Sequence, residues 1–184
     1  MATISWGKPK ILIAAAGKGI GETTFDFFLL PTPAEDTTNL TGTQGDKTEA
    51  TIEGGEAEAT KYKAATFELT MNVRMAIDGT NYRYLPDPLY SSEGLADHSE
   101  YTKSNVAVVL IPDEEAAPGF FCPDCTVSIM ESYTAADGAM WEITLAPNAS
   151  GTVKAVQFGQ YYAVEGTSTN EGKFKIASGV RGTT

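Results

Sequence analysis

Two cysteines in a CPDC motif at 122–125 have the residue types and spacing most suggestive of chemistry. Such spacing occurs in one half of a zinc site and in thioredoxin-type redox motifs. A zinc site needs about four ligands, but the chain has no further cysteine and a single histidine, His98. A redox motif needs its first cysteine at a helix N-terminus, whereas an irregular stretch precedes Cys122 and a strand-like run begins at Thr126. We therefore predict no metal and no cofactor, and two states stay open for the thiols: reduced, or joined as a disulfide.

His98 lies between carboxylates in the run 96–100 (ADHSE), a setting that favours general acid–base catalysis. No Gly-x-Ser-x-Gly nucleophile motif accompanies it, so a solvated histidine is the preferred interpretation. The run at 17–21 (GKGIG) is similar to the beginning of a dinucleotide-binding fingerprint. Glu22 stands where the third glycine is needed, and a strand-like run follows where a helix is needed. We predict that the protein is not an enzyme, and an enzyme or redox protein using the thiols or His98 is the third alternative.

Length and composition indicate one acidic globular domain spanning residues 1–184. Apolar residues make up 42% and charged residues 20%, so the chain can bury a core. The net charge of −11 and the scattered Lys and Arg residues disfavour nucleic-acid binding through phosphate neutralisation. No apolar run approaches the roughly 20 residues that span a bilayer, and the apolar stretch 11–16 is too short for a secretory signal. We expect a protein made in the cytoplasm with no membrane partner.

Alternation of apolar and polar residues with a period of two predicts a mostly β domain. Over 65–75 every odd position is apolar and every even position is polar, as in an antiparallel strand with one buried face. Shorter alternating runs and β-branched stretches bring the total to eight or more strands. We predict an antiparallel β-sandwich or small barrel with one short helix at 93–104 and a long extended loop at about 31–45.

An ordered series of features in the first 80 residues resembles one protein family. The features are SWGKP at 5–9, LPTPAEDTT at 30–38, GDKTEA at 45–50, IEGGE at 52–56 and the long alternating strand 67–75. In this order they are similar to the tail tube, or major tail, proteins of long-tailed bacteriophages. The later part of the chain resembles that family only in its strand content.

The resemblance implies a structural subunit that self-assembles into stacked rings, usually of six, forming a tube through which DNA passes without specific binding. It implies other tail proteins as partners and the virion tail as the location. A hairpin about Gly54-Gly55 would line the channel with its acidic face, while its other face would pack inward against protein. The loop at 31–45 would become ordered against a neighbouring subunit. The candidate interface residues are Asp36, Thr37, Thr38, Asn39, Leu40, Gly54 and Gly55, and the candidate lumen-lining residues are Glu49, Glu53, Glu56 and Glu58.

A binding module is the second alternative, as an Ig-like or jelly-roll adhesin acting as a monomer. Aromatic residues in loops favour recognition, although tyrosines also pack at the rim of a core. The tyrosines considered for contact with a ligand are Tyr82, Tyr84, Tyr90, Tyr161 and Tyr162.

Overall fold

The computed structural model describes residues 7–17, 27–51, 53, 57–75, 77–78, 81–82, 85, 89, 101–114, 117–149, 153–163 and 172–176. These residues contain thirteen β-strands and no α-helix, which confirms the predicted mostly antiparallel β class. Within the same residues, no helix has the length and apolar character needed to cross a bilayer.

The strands follow one another at short intervals along the chain. In order they are β1 (Lys10–Ala15), β2 (Phe28–Leu29), β3 (Asn39–Thr43), β4 (Lys47–Thr51), β5 (Ala57–Tyr62), β6 (Thr66–Arg74), β7 (Ile77–Asp78), β8 (Asn81–Tyr82), β9 (Tyr101–Ile111), β10 (Gly119–Thr134), β11 (Gly138–Pro147), β12 (Gln157–Ala163) and β13 (Gly172–Ile176). Every pairing between them is antiparallel.

Nine of the strands form one sheet, with the order β2-β1-β9-β10-β11-β6-β3. The long strand β10 has two successive partners along one of its edges. Its first residues pair with β12, which pairs in turn with β13, and its later residues pair with β11. Strands β4 and β5 form a separate two-stranded sheet, as do β7 and β8.

The main core covers one face of the nine-stranded sheet. Strand β6 contributes Leu69, Met71 and Val73 to it, as the alternation over 65–75 predicts. Five neighbouring strands direct the same face to one cluster, as in a sandwich-like or barrel-like body. The buried members are Ile11, Ile13, Leu30, Leu69, Met71, Val73, Leu85, Leu89, Val106, Val108, Cys122, Cys125, Val127, Ile129, Ile143 and Leu145.

The opposite face of the sheet is apolar only where β1, β9 and the start of β10 lie. Its buried cluster consists of Leu12, Ala14, Phe27, Ala107, Val109, Ile111 and Phe121. Towards β3 this face becomes polar, and Asn39, Thr70, Thr144 and Ser128 stand opposite one another on four neighbouring strands. The sheet therefore has one predominantly apolar face and one face that is apolar at β1, β9 and the start of β10 and mainly polar towards β3.

Two predicted elements differ from the structure. The last four residues of the predicted helix, 101–104, belong to β9, where pairing with β10 satisfies their backbone groups, and residues 93–100 lie outside the described part. The predicted loop at 31–45 contains strand β3, which pairs with β6 along its whole length. Leu40 packs against the main core and Phe67 covers Gly42, so this segment buries more than its polar composition indicates.

Candidate assembly surface

The β4–β5 hairpin, residues 47–62, stands apart from the core of the subunit. Its register runs from Lys47 opposite Tyr62 to Thr51 opposite Ala57, which confirms the hairpin predicted from the glycine pair. All side chains described in it, at 47–51, 53 and 59–62, are exposed, and Tyr62 has half of its surface in solvent. The prediction that one face packs inward is wrong, because Ala50 and its partner Ala59 are as exposed as their neighbours on the other face.

The base of the hairpin is fixed by contacts between Asp46 and Lys63. The Lys63 backbone N–H donates to the Asp46 carbonyl oxygen at 2.9 Å, and the Lys63 ammonium lies 2.9 Å from Asp46 Oδ2. Gly45 allows this close approach, since a Cβ atom there would lie 2.5 Å from the Lys63 carbonyl oxygen. The hairpin is thus clamped at its base while its two faces remain without a packing layer in the described part of the subunit.

The charges of the hairpin are partly neutralised within it. Glu49 forms an ion pair with Lys47, two positions earlier on the same face of β4. Strand β5 carries a bulge, because Ala50 pairs with Ala59 and Thr51 pairs with Ala57, so Glu58 is an extra residue. Of the four candidate lumen residues, Glu49 and Glu53 are exposed, Glu58 lies at this bulge, and Glu56 lies outside the described residues with Gly54 and Gly55.

Strand β3 forms one outer edge of the nine-stranded sheet. Its sequence, NLTGT, contains no charge and no proline, the two devices that most often prevent an edge from pairing with another chain. The Phe67 ring lies against Gly42 on its paired side, where a Cβ atom would be 2.8 Å from the ring. Among the described residues, no strand pairs with its outer side. The backbone groups on that side are available to an extended partner.

Some of the candidate interface residues at 36–40 contact their own subunit, and the others are exposed or half-buried. The Asn72 backbone N–H donates to Thr37 Oγ1 at 3.1 Å, and Thr37 Oγ1 donates to the Ala34 carbonyl oxygen at 2.8 Å. Thr37 and Leu40 therefore attach this segment to its own subunit. Asp36, which has a positive φ of 58°, is exposed, as is Asn39, and Thr38 is half-buried.

Strand β2 forms the edge at the opposite end of the sheet order. It is short, and its residues Phe28 and Leu29 have 37% and 54% of their surface exposed. Sequence analysis did not identify them as interface candidates. The only available indication was their position in an apolar run, which is equally typical of a buried strand.

A groove of about 590 Å³ lies between the chain before β1 and the segment before β3. It is lined by Gly7, Lys8, Pro9, Thr32, Pro33, Ala34, Glu35, Asp36 and Thr38. One cation and two carboxylates line it. Among the described residues, no buried side-chain polar atom without a hydrogen-bond partner lines the groove. The lining therefore does not indicate a class of ligand.

The two cysteines lie in the main core, where they are free and buried. Cys122 pairs with Val108, and Cys125 pairs with Val106. Between these pairs β10 has two residues, Pro123 and Asp124, whereas β9 has only Ala107. This bulge puts both thiols on one face of the sheet, although residues three apart normally face opposite sides. The hydrogen bond with the Cys122 side chain and burial raise the pKa of the Cys125 thiol, so its reactive thiolate form is disfavoured.

No other arrangement for chemistry is found in the part of the chain that the structure describes. His98 lies outside it, as do Tyr84 and Tyr90. No group of three or more His, Cys, Asp or Glu residues among the described ones is placed to hold a metal ion. No model of a known protein family matches the chain, and no curated protein matches it. The exposed hairpin and the two sheet edges are therefore the features from which a function is argued.

Proposed function

We propose that the protein is a structural subunit that assembles with copies of itself into rings, and that the rings stack into the tail tube of a long-tailed bacteriophage. The observation that carries the proposal is the β4–β5 hairpin, which exposes every described side chain on both faces. A two-stranded hairpin without a packing layer is only marginally stable in water. Contact with another copy would supply that layer, and the resemblance of the first 80 residues supports a tail tube as the assembly.

The β3 and β2 edges of the sheet support ring formation. An uncharged edge at β3 and an apolar edge at β2 are different surfaces, so pairing them between copies makes a head-to-tail contact. Head-to-tail contacts close into a ring when the rotation between copies permits it. Closure also removes the exposed edges that would otherwise favour aggregation. The proposed ring of six comes from the family resemblance alone.

The acidic character of the chain supports a role as a conduit. With a net charge of −11, an assembly of many copies presents a strongly negative surface. Glu49 and Glu53 are exposed on the hairpin, and we assign them with Glu56 and Glu58 to the channel lining. Like charge repels the phosphates of passing DNA, so the DNA would move without binding. The proposed location is the virion tail, after synthesis in the host cytoplasm with other tail proteins.

Charge placed on the β3 edge tests the ring. Thr41→Lys introduces an ammonium group on the exposed edge strand, and Ala136→Lys introduces the same charge at the exposed β10–β11 turn as a matched control. We expect the unaltered protein and Ala136→Lys to form rings or tubes in negative-stain micrographs and by light scattering at rising concentration. We expect Thr41→Lys to remain monomeric with an unchanged circular dichroism spectrum.

Substitution on the hairpin tests its contact with a neighbouring copy. Tyr62→Ser removes a half-exposed ring from β5, and Tyr133→Ser removes a ring that is 76% exposed on β10 as a matched control. Only Tyr62→Ser should weaken assembly. A protein that stays monomeric under all conditions, including with tail completion proteins present, and that binds a glycan or peptide would instead support the binding-module alternative.

A further inference from the structure

The bulge in β10 brings two thiols together in the middle of the sheet. Between Cys122, paired with Val108, and Cys125, paired with Val106, β10 has one residue more than β9. The extra residue lets both side chains enter the main core, where Cys122 is 2% and Cys125 0% exposed. The Cys125 thiol donates to the Cys122 carbonyl oxygen at 3.9 Å.

Contacts from three other segments hold the bulge in this form. The Gly17 N–H donates to the Pro123 carbonyl oxygen at 2.8 Å, and the Asn148 N–H donates to the Asp124 carbonyl oxygen at 2.7 Å. The Asp124 carboxylate accepts a hydrogen bond from Asn105 Nδ2 at 2.5 Å. The backbone oxygens that the bulge removes from the β9–β10 ladder are therefore satisfied elsewhere, and the paired position of the thiols is built into the fold.

A disulfide requires Cα atoms within about 7 Å, a separation that residues three apart in a regular extended strand exceed. A bulge shortens that span and aligns the two Cβ vectors on one side. We propose that Cys122 and Cys125 form a latent intrachain disulfide site, whose oxidant is a low-molecular-weight disulfide such as oxidised glutathione. The site is independent of the proposed assembly function.

The exchange proceeds in two balanced steps. The Cys122 thiolate attacks one sulfur of the oxidant, whose S–S bond breaks and releases one thiolate that takes a proton from water. The Cys125 thiol then loses its proton and attacks the mixed disulfide at Cys122, which releases the second small thiol. Two protein thiols are oxidised, and one external disulfide is reduced to two thiols. Cys122 attacks first because the Cys125 S–H donates a hydrogen bond to the Cys122 carbonyl oxygen, which holds the Cys125 proton. Burial makes the first step depend on local opening.

Intact-protein mass spectrometry with oxidised glutathione under native conditions tests the proposal. We expect the unaltered protein to become lighter by two hydrogens and to retain no glutathione, with its circular dichroism spectrum preserved. Cys125→Ser should retain one glutathione on Cys122, and Cys122→Ser should react more slowly, because its Cys125 can still donate to the backbone carbonyl oxygen of residue 122. The same product should form more rapidly in denaturant below the unfolding transition.

Four results would overturn the proposal. In the first, the folded unaltered protein keeps both thiols reduced while Cys125→Ser is modified. In the second, the unaltered protein retains glutathione. In the third, disulfide-linked dimers form. Folded protein in which neither the unaltered chain nor Cys125→Ser reacts, even in subdenaturing denaturant, would also overturn it. None of these results bears on ring formation, which micrographs of the reduced protein measure separately.

Discussion

Replacing Gly45 with alanine tests whether the clamp at the base of the β4–β5 hairpin holds the hairpin to its subunit. A Cβ atom at this position would lie 2.5 Å from the Lys63 carbonyl oxygen and 2.6 Å from that of Ala64. Both oxygens belong to the backbone, so no change of rotamer relieves the overlap. The two chain segments must separate, which breaks the 2.9 Å hydrogen bond from the Lys63 N–H to the Asp46 carbonyl oxygen.

The expected cost follows from these contacts. Overpacking of this kind costs about 1–3 kcal/mol, and losing the backbone hydrogen bond costs about 1 kcal/mol where the groups are not fully rehydrated. The Asp46–Lys63 ion pair adds little, because its side chains are 80% and 69% exposed. Together these costs are roughly 2–4 kcal/mol, so we expect local opening of the hairpin to become about 30- to 900-fold more frequent, at about 1.4 kcal/mol per tenfold. Global stability should change little, because no described side chain of the hairpin lies in the core.

Hydrogen exchange measured by mass spectrometry reports this opening. Gly45→Ala should raise the exchange of residues 46–63 and leave the β10–β11 pair unchanged. Gly138→Ala is the matched control, since Gly138 has a positive φ of 77° and a Cβ atom added there would meet no other atom within 4 Å. It should raise exchange only at the β10–β11 turn. Unchanged exchange over 46–63 in Gly45→Ala would refute the clamp.

Three further predictions concern the core, the β3 edge and alkaline pH. Leu145→Ala should lower the free energy of unfolding in urea by about 2–5 kcal/mol, because Leu145 is fully buried. Gly42→Val should displace the Phe67 ring, because a Cβ atom at residue 42 would lie 2.8 Å from that ring. Hydrogen exchange in β3 should therefore rise. The double variant that also carries Phe67→Ala should restore the protection of β3. Because the pKa of Cys125 is raised above its ordinary value of 9.0, the contribution of this thiol to the free energy of unfolding should be constant below that pH and fall above it, as the thiol ionises in the unfolded chain. Urea titrations of Cys125→Ala should show a smaller fall in stability above that pH.

The strands with regular alternation were predictable from the sequence. In β6, each apolar residue from Leu69 to Val73 enters the core, because one buried face imposes a period of two on the residue types. The β4–β5 hairpin was also predictable, since the sequence has a glycine pair at 54–55 between two runs of strand-forming residues, a pattern typical of a hairpin. Local chemistry determines both features, so the local sequence is sufficient.

Features that depend on distant residues were not predictable. The sequence around Pro123 and Asp124 is typical of a loop, but their backbone oxygens are satisfied by Gly17 and Asn148, which are remote in sequence. Strand β3 is polar and becomes a strand through pairing with β6, with Leu40 as its main apolar contribution. The exposure of both hairpin faces was unpredictable as well, because composition does not show which elements find a packing partner.

The pairing of β1 with β9 has a consequence for how the chain folds during synthesis. Lys10 pairs with Ile111, so β1 must wait until more than half of the chain has left the ribosome before its main partner exists. The apolar run of β1 is exposed during this interval, when unpaired strands of this kind aggregate most readily. Nearby pairs such as β4–β5 can close within microseconds of emerging. A holding chaperone that binds β1 during this interval should therefore raise the yield of folded subunit.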